Sequence, residues 1–401
     1  MQFQESSFCQ RIQPSETLAI TTLVAELRRR GKAVIDLGAG EPDFDTPEEI
    51  KAAGIAAIRA GKTKYTPNVG TLALREAIGH HLKTISGANY TSHQIVVSNG
   101  AKQAIHNVLL ALCNPGDEVI VPAPYWVSYP EQVKMAGATP VIVTAQEADD
   151  FKISPQALEK AITPRTKLVL LNSPSNPTGA VYSKEELQAL AEVIRRKQIF
   201  VLSDEIYIKL VYREVQTCSL AAFPELHDQL ILINGFSKAY AMTGWRLGYV
   251  AAPAAIAKAV AKIQSHTTSN PCSISQEAGC AALAMNEQEL LAMRHEFEKR
   301  RDFVHAAINQ MPGLSARLPG GAFYLFANVA PLLGKTFAGK TITSPSDLVH
   351  LFIEHAGVAL VGGEAFGSRQ HVRLSYANSM ENLQAAMRQL GDAVARIANI
   401  S

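Results

Sequence analysis

Cysteine is scarce. Cys9, Cys113, Cys218, Cys272 and Cys280 are five among 401 residues, odd in number and scattered. No Cys-x-x-Cys pair occurs, which argues against a disulfide framework or a cysteine-built zinc site; no metal is expected, and reduced thiols fit a cytoplasmic setting. An excess of one charge is also lacking. Lys and Arg total 38 against 36 Asp and Glu, a formal net charge of +2. Nothing there calls for nucleic acid or a membrane surface as partner. The local run Arg28-Arg29-Arg30 closes a helical pattern before Gly31, where cations suit a helix C-terminus. No apolar run reaches the length of a membrane span. The start, Met1-Gln2-Phe3-Gln4-Glu5, has neither the basic nor the apolar region of a secretory signal. The sequon Asn89-Tyr90-Thr91 therefore carries no weight. Repeats and low-complexity tracts are absent.

What is present is a series of short apolar runs alternating with helical patterns. A chain of 401 residues exceeds a single core, and its 47% apolar and 18% charged residues are ordinary for a globular protein. Strands are expected at 94–97, 118–121, 140–143, 167–171, 200–202, 230–233 and 248–250. Helices are expected at 101–112, 131–137, 184–197 and 254–265. Continuous β-branched runs of this kind suit strands buried on both faces, hence an α/β fold with a mostly parallel sheet. After about residue 285 the pattern changes: a long charged helical stretch, roughly 285–311, leads into a smaller C-terminal α/β unit. The expected division is an arm with part of the small domain over 1–45, a large domain over 46–295 and a small domain over 296–401.

Polar clusters follow five of these strands, at the edge where open α/β sheets bind ligands. They are Ser98-Asn99-Gly100-Ala101-Lys102, Pro124-Tyr125-Trp126, Asn172-Ser173-Pro174-Ser175-Asn176-Pro177, Ser203-Asp204-Glu205-Ile206-Tyr207 and Ser237-Lys238. Lys238 stands out, because a lysine at the end of a buried strand is costly to desolvate, and burial with neighbouring charges can depress an amine's pKa and make it a nucleophile. Gly100 and Ala101 open a helix whose N-terminus suits either a phosphate or an ordinary cap. Arg246 and Ser237 could complete a phosphate cradle. Asp204 could serve as metal ligand, helix cap or partner of a buried cation. Trp126 offers a flat face, and Asn176 and Tyr207 offer neutral hydrogen-bonding groups. Together these suit pyridoxal 5'-phosphate, whose ring acts as an electron sink.

These segments resemble the class I pyridoxal-phosphate aminotransferases, and most nearly the bacterial aspartate/prephenate branch. The resemblance rests on 235–248, on Asn172 to Gly179, on Ser203 to Tyr207 and on Gly38-Ala39-Gly40-Glu41-Pro42-Asp43-Phe44. Lys64-Tyr65-Thr66-Pro67, Pro124-Tyr125-Trp126 and Val372-Arg373-Leu374-Ser375 follow the same family order. It implies a fold-type I transferase with ping-pong chemistry on amino acids and 2-oxo acids, aspartate and 2-oxoglutarate being the expected pair. Aromatic, alanine or prephenate substrates, or carbon–sulfur bond cleavage, are the alternatives.

Carried over, Lys238 would be the Schiff-base lysine and proton carrier, and Asp204 the partner of the ring nitrogen. Tyr207 and Asn176 would bond the ring oxygen, and Trp126 would stack on the ring. Gly100, Ala101, Ser237 and Arg246 would hold the phosphate, with Tyr65 arriving from a second subunit of a homodimer. Arg373 would clamp the substrate α-carboxylate beside Gly40. Lys102, with Ser15 and Thr17 nearby, would meet an acidic substrate side chain. Gln13 stands where a basic residue is expected in members that bind prephenate.

A rival signal lies at Gly334-Lys335-Thr336-Phe337-Ala338-Gly339-Lys340-Thr341, which matches the phosphate loop of nucleotide triphosphatases. Thr341-Ile342-Thr343 is β-branched and Pro345 follows, so the next helix is expected near Ser344 and the segment is read as a surface loop. A regulator with an added DNA-binding segment is also disfavoured, since only 37 residues precede Gly38, too few for a typical domain.

Overall fold

The computed structural model describes residues 3–213 and 215–398. The reading of Met1 and Gln2 at the chain start lies outside the described residues. Seven strands form the central sheet: β1 (Ile95–Ser98), β2 (Glu118–Ala123), β3 (Thr139–Thr144), β4 (Thr166–Asn172), β5 (Phe200–Asp204), β6 (Leu230–Gly235) and β7 (Gly248–Ala251). Their order is β1-β7-β6-β5-β4-β2-β3. All run parallel except β7, which is antiparallel to both neighbours. The reason is local: β6 and β7 are joined by the turns of 236–247 without a crossover helix, and a return without crossover gives an antiparallel pair. Lys238 and Arg246 sit on that connection.

The helices cover both faces, as two-sided burial of the strands demands. Those introduced here are α1 (Glu16–Arg29), α2 (Glu48–Arg59), α3 (Leu72–Ser86), α4 (Ala101–Leu112), α5 (Ser128–Met135), α6 (Lys184–Lys197), α7 (Ala254–Thr267), α8 (Ser273–Ala284), α9 (Gln288–Gln310), α10 (Pro345–Ala356) and α11 (Met380–Ala398). Helix α6 starts with a capping box between Ser183 and Glu186 and ends in Arg195-Arg196-Lys197, a helix with both termini written into it. Helix α5 begins three residues before the expected 131–137, because Pro130 lies in its first turn, where proline is tolerated. The expected stretch 285–311 is α9, preceded by a separate helix, α8. The expected boundary at 295/296 falls inside α9.

A four-stranded antiparallel sheet lies beyond α9, in the order β10-β11-β9-β8, where β8 is Ser315–Ala316, β9 Tyr324–Asn328, β10 Val361–Gly362 and β11 His371–Ser375. Helices α9, α10 and α11 pack into one apolar cluster with Tyr324, Leu325 and Leu374 of this sheet. The chain start joins it: Ile35 and Asp36 pair with Val358 and Ala359. At the phosphate-loop match, Thr336-Phe337 and Lys340-Thr341 form a small hairpin, and α10 begins at Pro345 with Ser344 as its cap. No helix starts at Gly339-Lys340-Thr341, so the segment lacks the strand-to-helix frame of a phosphate loop. Among the described residues no helix is long and apolar enough to cross a membrane.

Candidate active site

A cavity of about 410 Å³ opens where the C-terminal ends of β4, β5 and β6 face the four-stranded sheet and α1. Twelve of the fifteen expected residues line it: Thr17, Gly40, Ala101, Lys102, Trp126, Asn176, Asp204, Tyr207, Ser237, Lys238, Arg246 and Arg373. Three do not. Gly100 lies behind Arg246, Ser15 bonds Thr17 Oγ1 at 2.9 Å from the end of α1, and Tyr65 is 92% exposed and away from the cavity.

Lys238 follows β6 directly, and its ammonium donates to the carbonyl of Gly40 at 2.5 Å. Burial pushes the amine down to about 8, Arg246 and Arg373 adding to the effect while Glu41 and Asp204 oppose it. An amine lowered this far is neutral in a sizeable fraction near neutral pH, which nucleophilic attack requires. Asp204 ends β5. Burial pushes its carboxyl up to about 6, against the Tyr129 hydroxyl at 2.7 Å, the Ile206 N–H at 3.2 Å and the charge of Lys238.

Arg373, on β11, is buried between the rings of Tyr324 and Phe366, at 4.5 and 4.8 Å. It donates to Asn176 Oδ1 at 2.9 Å and to the carbonyl of Gly38 at 2.6 Å, while its Nε has no partner. A guanidinium enclosed by neutral acceptors, with one donor unused, suits a carboxylate arriving from outside the chain. Lys102 lies over the Trp126 ring at 4.9 Å; burial and nearby Arg246 lower its pKa.

The first turn of α4 faces Arg246. Gly100 holds φ +83°, and a Cβ there would lie 2.5 Å from Arg246 Nη2. Glycine is thus required both for the backbone angle and for the approach of the guanidinium. Arg246 itself holds φ +52° and donates to the carbonyl of Thr243 at 2.9 Å.

Three wall residues escape a reading of the sequence. Tyr129 supports Asp204, the Tyr324 hydroxyl pairs with the Tyr207 hydroxyl at 2.9 Å, and Glu41 accepts from Thr243 Oγ1 at 2.8 Å. Tyr129 is one helical turn beyond Trp126, a weak signal. Tyr324 lies in the Gly320 to Leu325 segment, whose place beside β5 is a matter of tertiary packing.

The profile of the family "aminotransferase class I and II" matches residues 32–390. The chain belongs to that family. It is 47% identical to an aspartate/prephenate aminotransferase of Cereibacter sphaeroides, over 94% of this chain and 95% of the relative. It superposes on the crystal structure of aspartate aminotransferase from Rhizobium meliloti with a TM-score of 0.95 and 43% identity, covering 98% of this chain and all of the other. Aspartate aminotransferase from Thermus thermophilus with maleate gives a TM-score of 0.91 and 40% identity, again over 98% of this chain. The protein is accordingly a fold-type I, pyridoxal-phosphate-dependent aminotransferase acting on amino acids and 2-oxo acids.

The cavity of this aminotransferase fits that cofactor. The Asp204 carboxylate is buried, held by neutral donors, and has no ion pair among the described residues. A protonated ring nitrogen would supply the missing cation. The glycine-lined start of α4, with Ser237 and Arg246 beside it, matches a phosphate in charge and shape. No group of three or more His, Cys, Asp or Glu placed to hold a metal occurs among the described residues.

Proposed function

We propose that this aminotransferase moves the amino group of L-aspartate to 2-oxoglutarate. The observation that carries the reading is one cavity holding four cations: Lys238, Arg246, Arg373 and Lys102. A dicarboxylic amino acid presents two carboxylates, and two of these cations remain once Lys238 is given to chemistry and Arg246 to the cofactor phosphate. The maleate in the Thermus structure, itself a dicarboxylate, and the printed name of the Cereibacter relative support the same choice. Gln13 lines no part of the cavity and brings no charge for a further anionic group, which favours aspartate over prephenate.

The geometry supports the residue roles in this proposal. Arg373 grips the substrate α-carboxylate with its planar fork, oriented by Asn176 and Gly38. Lys102 meets the side-chain carboxylate. Pyridoxal phosphate, when bound, supplies the electron sink that lets the bond to the α-hydrogen break. Asp204, held by Tyr129, keeps the ring nitrogen cationic. Lys238 Nζ takes the α-proton and returns it, a task suited to an amine lowered to about 8. Tyr207, backed by Tyr324, donates to the ring oxygen, with Asn176 beside it. Trp126 covers the ring face and excludes water. Gly100, Ala101, Ser237 and Arg246 hold the phosphate.

A homodimer in a reducing cytoplasm completes the proposal. Ile55, Ile58, Tyr65 and Leu72 are large apolar side chains exposed near one another in sequence, on α2, the loop after it and the start of α3. A second copy would cover them, and Tyr65 would then reach the partner's phosphate. The five cysteines are unpaired. A panel of amino donors and oxo acceptors tests the substrate choice. Aspartate with 2-oxoglutarate should give the highest kcat/KM; a preference for alanine, aromatic donors or prephenate overturns it.

A further inference from the structure

A second cavity, of about 330 Å³, lies apart from the catalytic one, between α3, the junction of α8 and α9, and the turns that follow β5 and β6. Its walls carry apolar groups, including Ala77, Leu283 and Leu290, and one enclosed cation, Lys209. The Lys209 side chain is 19% exposed, with its ammonium 5.7 Å from the centre of the Tyr240 ring. It donates to Glu287 Oε1 at 2.6 Å, yet the Glu287 side chain is 67% exposed.

That pair is unequal. Glu287 is well solvated with or without its partner and gains little from the bridge. Lys209 is largely removed from water and depends on an anion. An incoming carboxylate that carried its own apolar body could replace Glu287: the ammonium stays paired, Glu287 returns to solvent, and apolar wall is covered. His81 stands beside the ammonium, and burial together with Lys209 pushes its imidazole down to about 4. It therefore faces the cavity neutral and adds no second cation. A ligand with two negative groups would meet Glu287 with the extra one, and a free amine would meet Lys209.

We propose that this cavity is a second ligand site, for a small monocarboxylic acid with an aryl or branched-alkyl body, held by Lys209 in place of Glu287. The cavity adjoins the catalytic turns along the chain. Lys209 is two residues beyond Tyr207, Tyr240 is two beyond Lys238, and Glu287 directly precedes α9. Both turns are tied back on themselves, by Leu210 N–H to the Tyr207 carbonyl at 2.7 Å and Met242 N–H to the Ser237 carbonyl at 3.2 Å.

The probe is hydrocinnamate, titrated calorimetrically into the holoenzyme, with the neutral amide of the same acid as comparison. One molecule should bind per subunit. Lys209→Met, and replacement of acid by amide, should each weaken binding about tenfold or more, the loss of one charge-assisted contact. Ala77→Trp, which fills the cavity, should abolish binding, with Leu283→Trp in its place should the first variant not fold. Arg373→Ala should leave hydrocinnamate binding unchanged. Absence of binding to the wild-type holoenzyme at millimolar ligand overturns the proposal. So does equal affinity for acid and amide, or binding that survives Lys209→Met and disappears with Arg373→Ala, which would place the ligand in the catalytic cavity.

Discussion

Tyr129 donates its hydroxyl hydrogen to Asp204 Oδ2 across 2.7 Å, and both side chains are buried. The hydroxyl is one of three influences that hold the Asp204 carboxyl down against burial. Tyr129→Phe removes it and leaves the carboxyl higher than about 6, so more of it is protonated at neutral pH. A protonated acid cannot hold the ring nitrogen cationic. Cofactor affinity should fall roughly 10- to 100-fold, the range for a hydrogen bond to a buried charge. The acidic limb of the kcat/KM profile should move to higher pH. An unchanged profile would show that Tyr129 does no more than fill space.

Arg373→Lys should cost about 100- to 1,000-fold in kcat/KM, because a point charge cannot reproduce a fork aligned by Asn176 and Gly38. The loss should be similar for aspartate and alanine, which share the α-carboxylate. A loss confined to aspartate would assign Arg373 to the side chain instead.

Lys102→Ala should separate those two substrates. Activity with aspartate should fall about tenfold or more, while alanine changes little. Steady-state kinetics with both donors decides the matter, and equal losses would remove Lys102 from substrate selection.

Glu205 is buried with one carboxylate oxygen unpartnered, and burial pushes its carboxyl up to about 7 despite bonds from Ser203 and the Leu220 N–H. Its folded pKa lies above the unfolded value. The stability tied to the neutral acid is therefore complete below the ordinary glutamate range, and it is lost as pH rises through about 7. Glu205→Gln imitates the neutral acid and cannot ionise. Relative to wild type, the variant should gain stability between pH 5 and pH 8, on the order of 2 kcal/mol. Denaturant melts at the two pH values measure this. A constant difference would mean that Glu205 does not titrate with folding.

Mixing Tyr65→Ala with Lys238→Ala subunits should restore activity that neither variant has alone, since one site of the hybrid dimer would then be intact. No recovery in mixtures shown to contain hybrids would place Tyr65 outside the site.

Much of this architecture was legible in the residues. The runs 119–121, 168–171 and 230–233 are apolar throughout, as strands covered on both faces are. Helix α6 carries its own cap and its own basic end. The reversed direction of β7 was not legible, because nothing local marks the 236–247 connection as a return without crossover. Tyr129 and Tyr324 were missed because their partners, Asp204 and Tyr207, are 75 and 117 residues distant along the chain. Such pairs are decided by how layers pack. Tyr65 is a different case: its exposed ring takes meaning only from a second chain.

The central claim is that Lys238 and Arg373 share one cavity to move an amino group from a dicarboxylic acid. It is tested most directly by adding L-aspartate to the purified holoenzyme with no acceptor present. The account predicts loss of the visible cofactor absorbance and release of one oxaloacetate per subunit, with the absorbance restored and one glutamate formed when 2-oxoglutarate is added, and with none of these changes in Lys238→Ala. Release of ammonia, or an absorbance that aspartate leaves untouched while another donor changes it, would contradict the account.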